Sequence, residues 1–119
     1  MSITIYHNPR CSKSRKTLEL LEANGIAPVV VHYLDTPPDA RTILRLAAMI
    51  GIPVANLLRR GEEDFKAATD LPDLDDDQAL ANWLASHPKI IERPIVENDV
   101  NNKAIIGRPP ENVLEVIEK

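Results

Sequence analysis

The sequence predicts an α/β domain: a mixed sheet whose two halves are separated by a helical insertion. Three observations predict it. An alternating apolar segment, an amphipathic segment and a β-branched run follow one another within the first 34 residues. Two short apolar segments joined by turn residues, then a proline-opened amphipathic stretch, close the chain. Between them lie segments with helical spacing. At 119 residues the chain has room for one hydrophobic core, so a single domain over 1–119 is expected. Hydrophobic residues at 44% and charged residues at 27% match ordinary globular usage and exclude a disordered or disulfide-scaffold class.

Each element has its own justification. Ser2 to Tyr6 alternates, with Ile3 and Ile5 on one face, and reads as a strand. From about Ser12 to Asn24, Leu18 and Leu21 share a helical face, Leu20 widens it, and Gly25 provides the stop that a left-handed residue gives a helix. Pro28 to Leu34, PVVVHYL, is nearly continuous in apolar character, as a strand covered on both sides would be. Strand, helix and strand in this order make a right-handed crossover between parallel strands. Thr36 is expected to cap the next helix, with Pro37 at its first position, Asp39 three residues after the cap, and Ile43, Leu46, Ala47 and Ile50 buried. A weaker helix follows at Val54 to Leu58. The five aspartates between Asp70 and Asp77 read as a solvated loop feeding the start of a helix that carries Leu80, Trp83 and Leu84 and ends at Pro88. Pro94 to Asn98 and Lys103 to Ile106 read as a hairpin, and Pro109-Pro110 opens a last helix with Val113, Leu114 and Ile117 inward. This order is that of a thioredoxin-like (glutaredoxin-like) fold, which by itself does not specify chemistry.

Composition narrows the function. No apolar run reaches the roughly 20 residues of a spanning helix, and the start lacks the features of a signal peptide, so a cytoplasmic protein with no membrane partner is expected. A net charge of −4 argues against general nucleic-acid binding.

One cysteine stands out. Cys11 follows an apolar strand, precedes an amphipathic helix, and is flanked by Arg10, Lys13, Arg15 and Lys16 with no nearby carboxylate. A free thiol with a pKa of about 8.5 is a poor nucleophile at neutral pH, whereas a helix start offers unpaired N–H groups that favour the thiolate. His7 and Ser14 are the nearest candidate donors. A solitary cysteine is more often a small buried hydrophobe, but polar and charged neighbours are not core-like. The tetrad Cys11-Ser12-Lys13-Ser14 lacks the second cysteine of a CxxC pair, so an oxidised or adducted Cys11 must be resolved by an external thiol, such as glutathione or a partner protein. His32 and His87 are assigned to packing or capping.

Arg59, Arg93 and Arg108 each stand at an element boundary. Guanidinium groups suit tetrahedral oxyanions, so their convergence on Cys11 would make an anion pocket around a nucleophile. Arg60 competes with Arg59 for that assignment. Arg93-Pro94 is a candidate cis peptide.

The segments HNPRCSKSR, HYLDTPP, LLRR, ERPIV and IGRPPE, in that order and across essentially the whole chain, resemble the glutathione- and glutaredoxin-dependent arsenate reductases, in particular a short bacterial branch with CSKSR after HNPR. The resemblance implies that Cys11 attacks arsenate, that Arg59, Arg93 and Arg108 hold the oxyanion, and that His7 and Ser14 support the thiolate. It also implies glutathione as co-substrate and glutaredoxin as partner, with no metal and no bound organic cofactor required. Ser12 and Lys13 stand where some members carry glycine and threonine. Two other readings stay open: an Spx-type regulator, which shares the fold but commonly uses CxxC, and a glutathione-binding thioredoxin-like protein with little arsenate turnover.

Overall fold

In the computed structural model, which describes residues 2–117, the first strand β1 (Ile3–His7) is paired on both sides. On one side lies β2 (Val29–His32) in parallel, in the register Ile5↔Val30 and His7↔His32. On the other lies β3 (Ile95–Asn98), antiparallel and continued by β4 (Lys103–Ile106), giving the order β2-β1-β3-β4. The sheet is therefore mixed, as the element order predicts. Helix α1 (Ser12–Ala23) connects β1 to β2. It ends where Gly25, at φ 77°, lets Ile26 N–H reach the Leu21 carbonyl and Gly25 N–H the Glu22 carbonyl, at 3.0 Å each.

Two compact units make up the chain, one of the residues up to Tyr33 together with those from Arg93 onward, the other Leu34–Glu92. In the first, Ile3 and Ile5 of β1, Leu21 of α1 and Val96 of β3 form the core with Val113 and Val116. The last two come from a 3₁₀ turn (Pro110–Val113) running into α5 (Leu114–Ile117). The inward residues of this end are thus Val113 and Val116, with Ile117 packed at the margin, whereas Leu114 is only half-buried. In the second unit, α2 (Ala40–Ile50) packs its Ile43, Leu46 and Ala47 against Leu80, Ala81 and Leu84 of α4 (Asp77–Ala85). A 3₁₀ turn (Val54–Leu57), the short α3 (Glu63–Lys66) and a second 3₁₀ turn (Pro88–Ile90) complete it.

Several sequence expectations need correcting. The PVVV run is not covered on both faces: β2 is an edge strand with Val29 56% exposed, so its apolar character reflects β-branched propensity and not burial. The cap of α2 is Asp39, whose carboxylate accepts from Thr42 N–H at 2.8 Å, and not Thr36. Thr36 and Pro37 each precede a proline, which drives both toward extended backbone and delays the helix until Pro38 is passed. Helix α4 stops at Ala85, and Pro88 opens the following turn instead of ending the helix. Of the aspartates, Asp76 caps the helix start by accepting from Ala79 N–H, whereas Asp77 accepts from Val54 N–H and Asp70 from Trp83 Nε1, ties to other segments of the same unit that the loop reading did not foresee. His87 stacks on Trp83 and bonds its carbonyl through Nδ1, a capping role as expected.

Candidate active site

The site begins where β1 runs out. His7 ends the strand, and Asn8-Pro9-Arg10-Cys11 makes a tight turn in which Cys11 N–H donates to the Asn8 carbonyl at 3.0 Å. Asn8 shapes this turn further, because its side-chain oxygen accepts from Arg10 N–H at 3.0 Å. Proline at the second position of such a turn is pre-set for it. Cys11 then occupies the cap position of α1 in extended conformation (φ −95°, ψ 121°). Its side chain makes no short capping hydrogen bond. The Ser14 and Lys13 amides instead face the sulfur as weak donors at the positive end of the helix.

Two guanidinium groups complete the surroundings. Arg93 donates to the sulfur, and Arg108 places Nη2 at 3.5 Å from Cys11 Sγ while its Nε donates to the Arg93 carbonyl at 2.7 Å. Burial alone pushes the thiol pKa up, but the Ser14 amide, the Arg93 side chain, the Lys13 amide and the Arg108 charge together outweigh it. The Cys11 thiol therefore lies below its ordinary value. The sulfur is only partly buried, which a nucleophile requires. Both arginines precede prolines through cis peptides, at Arg93-Pro94 and Arg108-Pro109; the second was not anticipated.

Beneath the cysteine, His7 Nδ1 lies 2.6 Å from Ser14 Oγ, and the same oxygen accepts from Asn8 N–H at 3.1 Å. Both side chains are buried. Burial, then the neighbouring His32 and Arg15, hold the His7 pKa below the ordinary imidazole value, so His7 is neutral near pH 7. The arrangement suits a hydroxyl that donates to a neutral ring protonated on Nε2. His32 is exposed, with its ring edge-on to His7 at 6.0 Å. The buried line of α1 is thus Ser14, Thr17 and Leu21, polar toward the cysteine and apolar away from it. Gly107 closes the packing: a Cβ there would stand 2.6 Å from Thr17 Oγ1 and 2.9 Å from Pro94 Cγ.

The first unit therefore brings together five of the predicted residues: Cys11, His7, Ser14, Arg93 and Arg108. Arg59 belongs to the second unit, where it is half-buried against Glu62 and Glu92, while Arg60 is exposed. Arg10, Lys13, Arg15 and Lys16 are exposed around the cysteine, and Arg15 donates to the Pro9 carbonyl at 2.9 Å. Sequence reasoning overlooked Asn8 and Gly107. The Asn-Pro pairing at the start of a turn was a readable signal for Asn8, whereas nothing local marks Gly107, whose constraint comes from a helix far along the chain. Among the described residues no three His, Cys, Asp or Glu side chains stand together to hold a metal ion, and no helix is long and apolar enough to cross a membrane.

A mixed four-stranded sheet with a partly exposed cysteine at the first helix start defines a thioredoxin-like protein with a single thiol at that position. More narrowly, the chain belongs to the ArsC family, whose profile matches residues 6–116. It is 47% identical over 117 residues to an arsenate reductase of Neisseria meningitidis, covering 97% of each chain. It is 49% identical over 116 residues to the uncharacterized protein YfgD of Escherichia coli, covering 97% of this chain and 96% of that one. Among solved structures, an arsenate reductase from Vibrio cholerae superposes with a TM-score of 0.86 at 47% identity, with 98% of each chain covered.

Proposed function

We propose that this protein reduces arsenate to arsenite through a covalent adduct on Cys11, with glutathione and glutaredoxin as the thiol reductants. The observation that carries the reading is the sulfur itself, held toward its thiolate form with Arg93 and Arg108 beside it. Relatives named arsenate reductase at 47% identity over nearly the whole chain support the substrate.

Cys11 thiolate attacks arsenic(V), forming an S–As bond as an As–O bond breaks and the departing oxygen leaves, with protons, as water. Arg93 and Arg108, with Arg59 assigned as a third guanidinium by the motif resemblance, neutralise the oxyanion and the charge that develops on it. Ser14, fixed by His7 and by the Asn8 amide, keeps the first turn of α1 aimed at the sulfur. A glutathione thiolate then joins the adduct, and formation of a Cys11–glutathione disulfide passes two electrons to arsenic, which leaves as arsenite. The chain has no second cysteine to open that disulfide, so glutaredoxin takes the glutathione and restores the thiol. Phosphate, of similar shape and charge, can bind but resists reduction by thiols.

The test is NADPH oxidation coupled through glutathione reductase, glutathione and glutaredoxin, with arsenate as the variable substrate. Wild type is expected to turn over and Cys11→Ser to be inactive. Turnover that survives in Cys11→Ser, or a wild type inert toward arsenate, contradicts the proposal.

A further inference from the structure

Arg59 is not an open cation. Its Nε donates to Glu62 Oε1 at 3.2 Å and its Nη1 to Glu92 Oε1 at 2.9 Å. Two carboxylates on one guanidinium thus occupy its edges before any anion arrives. The pairing with Glu92 is built in by the backbone. Leu58 and Ile91 form an isolated antiparallel bridge, flanked by Arg59 N–H on the Ile90 carbonyl at 2.6 Å and Glu92 N–H on the Leu57 carbonyl at 2.7 Å. This short ladder fixes Arg59 and Glu92 on facing segments 33 residues apart in sequence. Side-chain exposures of 23% and 24% leave the pair only partly screened by solvent, so its charge counts.

We propose that Glu92, assisted by Glu62, is a specificity-determining residue that stands in for the oxyanion on Arg59. The inference rests on the assignment of Arg59 to arsenate binding made above. A carboxylate and a tetrahedral oxyanion present the same kind of oxygen edge to a guanidinium. The resident carboxylate offers one negative charge; arsenate near neutral pH offers up to two. An arriving dianion can take over the guanidinium edges that Glu92 and Glu62 hold, whereas a monoanion gains nothing by the exchange. The pair thus weakens binding of every anion while favouring the more highly charged. It also keeps Arg59 ordered and satisfied when no substrate is present, avoiding the cost of a half-buried lone cation.

The experiment follows the Arg59 Nε–H signal by nitrogen-15 NMR in the full chain, titrated with sodium arsenate and separately with sodium nitrate, with no thiol reductant present. In wild type the signal moves with arsenate and not with nitrate. In Glu92→Gln, which keeps the shape and removes the charge, the arsenate midpoint falls about fivefold, the factor equivalent to an exposed-to-half-buried ion pair, and nitrate begins to compete. Glu62→Gln moves in the same direction by less and serves if Glu92→Gln does not fold. A midpoint that is unchanged or higher in both variants overturns the proposal. An Arg59 signal indifferent to arsenate in wild type overturns the assignment of Arg59 itself. Arsenate turnover in Arg59→Ala separates the two failures: a raised KM there, with no tightening in Glu92→Gln, leaves Arg59 in the site and removes only the exchange.

Discussion

Arg108 reaches Cys11 Sγ with Nη2 at 3.5 Å while its Nε is tied to the Arg93 carbonyl at 2.7 Å, so one arginine is aimed by the backbone of another. This relationship links the hairpin to the helix start. Both guanidinium groups act on the thiol, and because the carbonyl that aims Arg108 is backbone, truncating the Arg93 side chain removes one donor while leaving the aim of Arg108 in place.

Alanine in place of Arg93 or Arg108 is expected to raise KM for arsenate and slow Cys11 alkylation at neutral pH by about tenfold, the equivalent of roughly one pKa unit. Lys16→Ala, which alters an exposed charge, is expected to change either quantity by less than about twofold. Alkylation kinetics with iodoacetamide and arsenate saturation curves measure both effects; equal losses in all three variants would argue against a directed pair.

Ser14→Ala removes the oxygen shared by His7 and the Asn8 amide and leaves that buried N–H without its acceptor, a loss of about 1–3 kcal/mol. Urea denaturation measures the stability. Alkylation should slow as well, because the first turn of α1 loses its tie to β1; a destabilised variant with wild-type alkylation kinetics would confine Ser14 to a structural role.

Gly107→Ala is expected to destabilise by about 1–3 kcal/mol, the range for forcing extra volume into a packed site. Two of the three close atoms belong to Thr17 and one to Pro94. Thr17→Ala in the same chain should therefore recover part of the loss. Melting temperatures of the two single variants and the double variant give the coupling, and strictly additive losses would contradict the contact.

The pH dependence of stability has a defined sign. A His7 pKa held below the ordinary imidazole value means that the unfolded chain binds more protons than the folded one in the window below about pH 6.5. Stability is present above that value and declines as pH falls through the folded pKa. His7→Gln is expected to flatten this decline relative to wild type in melts taken between about pH 7 and pH 5. An unaltered slope would mean that another group carries the acid sensitivity.

Much of this was legible in the chain because local signals agreed. Cys11 between a strand and a helix, with proline before it and cations around it, marked both the helix start and the chemistry. The hairpin was readable from Asp99 to Asn102, where Asn102 indeed takes a positive φ of 54°. What escaped was set by partners distant in sequence. The exposure of Val29 depends on which strands pair, not on its own apolar run. The half-burial of Arg59 depends on Glu92, 33 residues away, and the space at Gly107 depends on Thr17. The cap of α2 was missed for a local reason, the extended backbone that consecutive prolines impose on their predecessors.

The most direct measurement is the ultraviolet absorbance of the Cys11 thiolate followed against pH, in wild type and in Arg108→Ala, since the chain contains no other thiol. A wild-type midpoint clearly below the ordinary value of about 8.5, moving upward in the variant, is the predicted result. A midpoint at or above that value, insensitive to Arg108, would contradict the claim that helix start and guanidinium groups hold this sulfur ready to attack an oxyanion.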